Sequence, residues 1–169
     1  QPAGQRIDTR ARRMSATTAT LAATIPGEQV RIAVNKDTEP FWQAAKRRRL
    51  VAPQCADCGT FRLPPTPYCP ACQSKSVNWA ELRGDATVYS FAVVHGIPGM
   101  PELTLVPAVV DLPDAPGARL VTNIVDIAPA DVSIGMPVRV DFSPIADGWM
   151  LPVFRARSAD TEKDRDHVR

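Results

Sequence analysis

The sequence predicts a mainly β chain with an N-terminal helix, a compact ribbon built on four cysteines, and a five-stranded barrel. Three observations carry this expectation. The four cysteines of the 169-residue chain fall in two CxxC pairs, Cys55/Cys58 and Cys69/Cys72, ten residues apart. Beyond residue 80 the chain breaks into short runs rich in β-branched and aromatic residues, punctuated by Gly, Pro and Asp, which is strand patterning. Ahead of the cysteines, residues 36–52 carry helix caps and helical spacing. The expected organisation is a disordered extension over 1–27, a helical segment over 28–53 and the ribbon over 54–80, then the barrel over 81–156 and a disordered tail over 157–169.

Residues 1–27 are rich in Ala, Thr and Arg and show no apolar period, so they bury too little surface to offset the entropy of ordering. Met14 is a candidate translation start inside them. The N-terminus lacks the apolar core of a secretory signal, and no run approaches the roughly 20 apolar residues of a membrane helix. The expected setting is cytoplasmic, with no membrane association.

In the stretch 36–52, Asp37 or Thr38 suits the N-cap, and Glu39 and Pro40 suit the first turn. Phe41 and Trp42 share a face with Ala45, either as core or as a partner-facing pair. Lys46, Arg47, Arg48 and Arg49 crowd the expected C-terminal turns, and Pro53 is the expected stop. Three readings of that basic run stand: a solvated helix end, a site for a phosphate-bearing ligand such as coenzyme A, or a nucleic-acid contact.

The cysteine spacing is the most specific signal. Each CxxC can close a tight turn that aims two thiolates at one ion, and Gly59 follows Cys58 where such a turn needs positive φ. Two such turns make a tetrahedral four-cysteine site on Cys55, Cys58, Cys69 and Cys72, expected to hold one structural Zn2+. A rubredoxin-type iron site and a pair of disulfides are the competing readings. Four protein ligands leave no open position for catalysis by the ion.

Five strands are expected after the ribbon: 86–94, 107–112, 118–125, 138–142 and 149–154, with a short helical turn between the third and fourth. That order is an OB-fold, which by itself assigns no function. Residues 84–155 carry three basic and eight acidic side chains, which opposes the positive groove of a nucleic-acid-binding barrel. The loop 95–103 holds two Gly and two Pro, and reads either as an ordinary long hairpin loop or as a mobile contact loop presenting Ile97 and Met100. His95 opens that loop without a paired acid or nucleophile, and no catalytic residue is expected anywhere in the chain.

Taken in order, the chain presents Pro40-Phe41-Trp42, Cys55-x-x-Cys58-Gly59, Leu63-Pro64-Pro65, Cys69-Pro70-x-Cys72, Trp79, Gly84-x-x-x-Val88-Tyr89-Ser90, Pro107-Ala108-Val109 and Ile134-Gly135-Met136-x-Val138. This series, over residues 35–156, resembles the domain-of-unknown-function-35 family, a rubredoxin-like zinc ribbon joined to an acyl-CoA-associated OB-fold. The resemblance implies a non-catalytic subunit of a hetero-oligomer with a thiolase-like or sterol-carrier-type enzyme. That partner would be an aldolase, acyltransferase or thiolase acting on acyl-CoA, with steroid side-chain degradation among the pathways suggested. Phe41, Trp42, Lys46, Arg47, Arg48 and Arg49 would then face the partner or coenzyme A phosphates, and His95, Ile97 and Met100 would approach the partner's substrate entrance. A single-stranded nucleic-acid module and a stand-alone acyl-CoA enzyme are the alternatives.

Overall fold

The structure, a computed structural model, describes residues 20–157. The disorder expected for 1–19 and 158–169 lies outside the described residues. The remainder of the expected extension does not behave as a loose arm. Ala22 is 1% exposed; its N–H bonds to the Ile127 carbonyl at 2.8 Å and its carbonyl accepts the Asp126 N–H at 2.9 Å. Ala23 bridges in parallel to Leu105. A small side chain at 22 fits beneath neighbouring backbone, so a segment without apolar periodicity still packs.

Helix α1 spans Glu39–Lys46, shorter than the expected 36–52. Thr38 is the N-cap, and the Asn35 side-chain oxygen accepts the Asp37 and Thr38 N–H groups. The helix ends because Arg48 turns left-handed at φ 57°, two residues beyond Lys46. Leu50, Val51 and Ala52 are buried and extended, not helical. They open strand β1, Leu50–Cys55, which pairs antiparallel with β2, Val77–Leu82. Pro53 sits inside β1 opposite Trp79 and is not the helix stop.

The barrel follows: β3 Asp85–Phe91, β4 Val94–Ile97, β5 Met100–Leu105, β6 Pro107–Asp111, β7 Arg119–Asn123, β8 Pro137–Pro144 and β9 Met150–Ala156. The five expected strands are β3, β6, β7, β8 and β9, in sheet order β7-β6-β3-β8-β9. A single 3-10 turn, Pro129–Asp131, lies between β7 and β8. The sheet curls until its edges meet: the Val125 N–H bonds to the Phe154 carbonyl at 2.9 Å, and Ile124 bridges Phe154 in parallel. This is an OB-fold. Of the two readings of 95–103 the hairpin is the nearer: the segment is mostly the β4–β5 hairpin, with Ile97 opposite Met100. Its glycines and prolines mask the strand pattern, because Gly96 forms a bulge and Gly99 a left-handed turn.

Val88, Val110, Ile124, Val138 and Phe154 fill the barrel at 1% exposure or less. Phe41, Ala44 and Ala45 of α1 and Leu50, Val51 and Ala52 of β1 join the same core. Helix, ribbon base and barrel are therefore one packed unit, which is how a barrel of this size gains enough burial. Among the described residues no helix is long and apolar enough to cross a membrane.

Candidate metal centre and partner-facing surfaces

The ribbon occupies the long connection between β1 and β2, and its two CxxC turns close alike. Gly59 N–H bonds to the Cys55 carbonyl at 3.0 Å, and Gln73 N–H bonds to the Cys69 carbonyl at 2.9 Å. The residue after the second cysteine is left-handed in both, Gly59 at φ 76° and Gln73 at φ 62°. Glycine adopts this freely, whereas for another residue it costs about 1–2 kcal/mol. The second turn is thus imposed by the site around Gln73 rather than chosen by that residue.

All four sulfurs lie within 4.8 Å of one another. The shortest approaches cross between turns, Cys55 to Cys72 and Cys58 to Cys69, each at 3.6 Å. The cysteines are free, and this spacing is far beyond the ~2.05 Å of a disulfide. Four sulfurs at ~2.3 Å from one tetrahedral ion stand about 3.8 Å apart, so the donor set fits a metal centre with four thiolate ligands. Cys55 and Cys69 are buried, Cys58 and Cys72 exposed.

The thiols are not equivalent. The Thr60 hydroxyl, 3.3 Å away, and the Thr60 N–H bring Cys58 down to about 6. Cys55 is lowered chiefly by the Cys58 N–H. Cys72 receives the Ser74 N–H, yet the neighbouring Cys58 and Cys55 sulfurs push it up to about 12. Mutual repulsion of sulfurs is the effect a bound cation removes, since thiolate rather than thiol is the ligand.

The other candidates do not converge on one place. Phe41 is 7% exposed and belongs to the core; its ring meets Trp42 edge-on, with centroids 5.1 Å apart. Trp42 is half-buried and lines a 330 Å³ apolar groove with Leu63, Pro64, Val121 and Leu151. Lys46 places its ammonium 5.2 Å from the Trp149 ring centre. Arg49 is held by Glu81 through two hydrogen bonds, and Arg48 stands 3.9 Å from Asp141. Both line a separate 490 Å³ cleft with Glu81, Arg83, Arg139 and Asp141, where carboxylates offset much of the positive charge. Arg47 is exposed. On a third surface His95 is exposed, 3.4 Å from the Thr104 hydroxyl, beside a 360 Å³ hollow. Ile97 and Met100 are half-buried against each other. Sequence reasoning passed over the groove's Val121 and Leu151, and over Thr60 and Gln73, and quoted Leu63 only as part of a motif. Only Gln73 had a visible signal, as the counterpart of Gly59.

The comparisons with known proteins follow this division. The ChsH2 rubredoxin-like zinc ribbon domain matches residues 42–78, and the ChsH2 C-terminal OB-fold domain matches 79–143. A DUF35 domain-containing scaffold protein of Methanocaldococcus jannaschii is 36% identical over 110 residues, 63% of this chain and 77% of that protein. The chain belongs to the DUF35 family. A probable enoyl-CoA hydratase alpha subunit of Thermomonospora curvata is 45% identical to this DUF35 chain over 126 residues, 74% of it. The 3-oxo-4,17-pregnadiene-20-carboxyl-CoA hydratase alpha subunit of Mycobacterium tuberculosis is 36% identical over 128 residues, 75% of it. The chain spans about two fifths of these two subunits, 39% and 40%. Among solved structures, a chain of the Ltp2-ChsH2(DUF35) aldolase is 44% identical and superposes with a TM-score of 0.68, over 75% of this DUF35 chain and 98% of that one.

Proposed function

We propose that this DUF35 chain is a non-catalytic scaffold subunit that binds a thiolase-like, acyl-CoA-processing enzyme and helps shape its acyl-CoA channel. The observation that carries the reading is the match along 98% of a chain of an Ltp2-ChsH2(DUF35) aldolase, at 44% identity. An aldolase is accordingly the favoured partner reaction, and the pregnadiene-carboxyl-CoA hydratase relative points to a steroid-derived acyl group. One Zn2+ on the four cysteines serves to hold the ribbon, and the complex works in the cytoplasm.

Trp42, Arg47 and the Ile97–Met100 hairpin tip are the contacts this reading favours, because Phe41 is buried in the core and the exposed Arg49 guanidinium is already engaged by Glu81. Affinity purification of the chain from its own cells, followed by native mass spectrometry, tests the proposal. A thiolase-like subunit at fixed stoichiometry is expected. Recovery of the chain alone, turning over an acyl-CoA unaided, would overturn it. Trp42→Ala is expected to weaken the complex while leaving the isolated chain folded, whereas Phe41→Ala, a core truncation, costs about 3–5 kcal/mol of stability.

A further inference from the structure

Arg62 is the one charged side chain in the buried core of the described residues, at 4% exposure. Its guanidinium donates to two main-chain carbonyls, Ser76 at 3.0 Å and Ser74 at 3.4 Å, while Nε has no partner. Among the described residues no carboxylate forms an ion pair with it, and Asp37, which shares an 80 Å³ hollow with it, makes no bond to it. A buried cation without a counter-charge is costly, so the fold must supply one elsewhere.

The Ser74 carbonyl points to where. That same carbonyl accepts the Cys69 N–H at 2.8 Å. Arg62 therefore grips the backbone that closes the second CxxC turn. On the chain it lies midway between the two CxxC turns, and its own N–H anchors it to the Pro53 carbonyl at 3.0 Å. A divalent ion bound by four thiolates is an overall dianion. We infer that Arg62 is the buried counter-charge of the metal centre: a positioning residue that fixes the second CxxC turn and offsets the negative charge of the thiolate-bound ion.

This inference rests on the metal-centre assignment and is independent of the proposed partner. The full-length chain, Arg62→Met and Arg62→Lys are compared by zinc content, by zinc competition with a chromophoric chelator, and by the thiolate-to-metal absorption of the Co2+-loaded forms. Arg62→Met is expected to weaken zinc binding by about 10- to 100-fold, the usual effect of losing an outer-sphere partner. Arg62→Lys keeps the charge and is expected to retain most of that affinity, with a Co2+ spectrum close to the parent's. Unchanged affinity in Arg62→Met overturns the inference. So does an equal loss in Met and Lys variants, which would make the residue a hydrogen-bonding strut alone. If Arg62→Met does not fold, Arg62→Lys against Arg62→Gln gives the same contrast, and equal affinities overturn the inference. A parent chain that binds no metal would instead refute the metal centre itself.

Discussion

The ribbon and the barrel are held by different forces. In the barrel, Val88, Val106, Val110, Ile124, Val138, Val153 and Phe154 are 0–1% exposed and fill one another's space. Between β1 and β2 the fully enclosed groups are few, with Cys55, Arg62 and Cys69 foremost, and Tyr68 stands 49% exposed. Burial scales with apolar area, so the barrel can stand on its core while the ribbon has almost none to stand on. The ribbon must draw its stability from the bonds of its sulfurs to an ion. The contrast teaches that two adjoining parts of one packed unit should fail for different reasons, and each can be broken separately.

The largest separation is expected from Cys69→Ser. Serine is a poor ligand for a thiolate-preferring ion, and structural zinc sites carry about 10–16 kcal/mol of apparent binding free energy that drives folding. Metal content should fall to background, and amides between β1 and β2 should lose hydrogen-exchange protection while those at Val110 and Val138 keep it. Loss of protection in both regions at once would show that the division is false. Acid should act on the parent chain in the same direction. Protons compete with the ion for thiolate, so metal release is expected as pH falls.

The converse variant is Phe154→Ala. This ring is 0% exposed at the seam where the barrel closes, and its carbonyl accepts the Val125 N–H. Removing it should cost about 3–5 kcal/mol, with metal stoichiometry of the folded fraction unchanged. Calorimetry and metal analysis of the same sample check both halves. Metal loss in step with melting would mean that the ribbon depends on the barrel core after all.

A smaller effect is expected at the join. Gly84 connects β2 to β3 with φ 84°, and a Cβ there would stand 2.3 Å from the Val140 Cγ1. Its backbone also accepts the Val140 N–H at 2.8 Å. Gly84→Ala meets both backbone strain and overlap, for about 2–4 kcal/mol. Gly59→Ala, in the first CxxC turn, has the strain without the overlap, since its nearest atom is 3.9 Å away. Chemical denaturation should rank Gly84→Ala as the more damaging; the reverse order would place the tighter constraint in the ribbon.

This same division explains how much was legible in the sequence. Metal-binding motifs write themselves as spacing, and the CxxC pairs located the ribbon and the four sulfurs that gather in it. Barrel strands write themselves as alternation, and five of them, with the turn before β8, spelled out the OB-fold order. What stayed hidden depends on tertiary neighbours. Ala22 is indistinguishable from its alanine-rich surroundings until Ile127 and Asp126 are placed beside it. The helix end at Lys46 was obscured because arginines are good helix formers, and nothing local announces the left-handed Arg48. Arg62 looks like a surface charge in sequence and is buried only because two carbonyls of the far CxxC turn reach it. Phe41 and Trp42 are neighbours in sequence and line the same groove, yet Phe41 is buried in the core while Trp42 stays half-buried against it.

The smallest effect concerns the ion pair that ties the barrel to the ribbon's last strand. Asp114, in the β6–β7 turn, accepts the Arg83 N–H at 2.8 Å and the Arg83 Nε at 2.9 Å, and Arg83 directly follows β2. The Arg83 side chain, and then its backbone N–H, hold the Asp114 carboxyl below its ordinary 3.8. A carboxyl depressed on folding contributes stability above its unfolded value and loses it as pH falls through the folded value. Asp114→Asn should therefore melt slightly below the parent at pH 7, and the gap should close as pH is lowered from 4 downward. Arg83 is 67% exposed, so solvent screens the pair, and added salt should shrink the gap as well. A difference in melting temperature that persists unchanged at pH 3 would mean that Asp114 acts through the shape of its turn, and that the two regions are joined by backbone and packing rather than by charge.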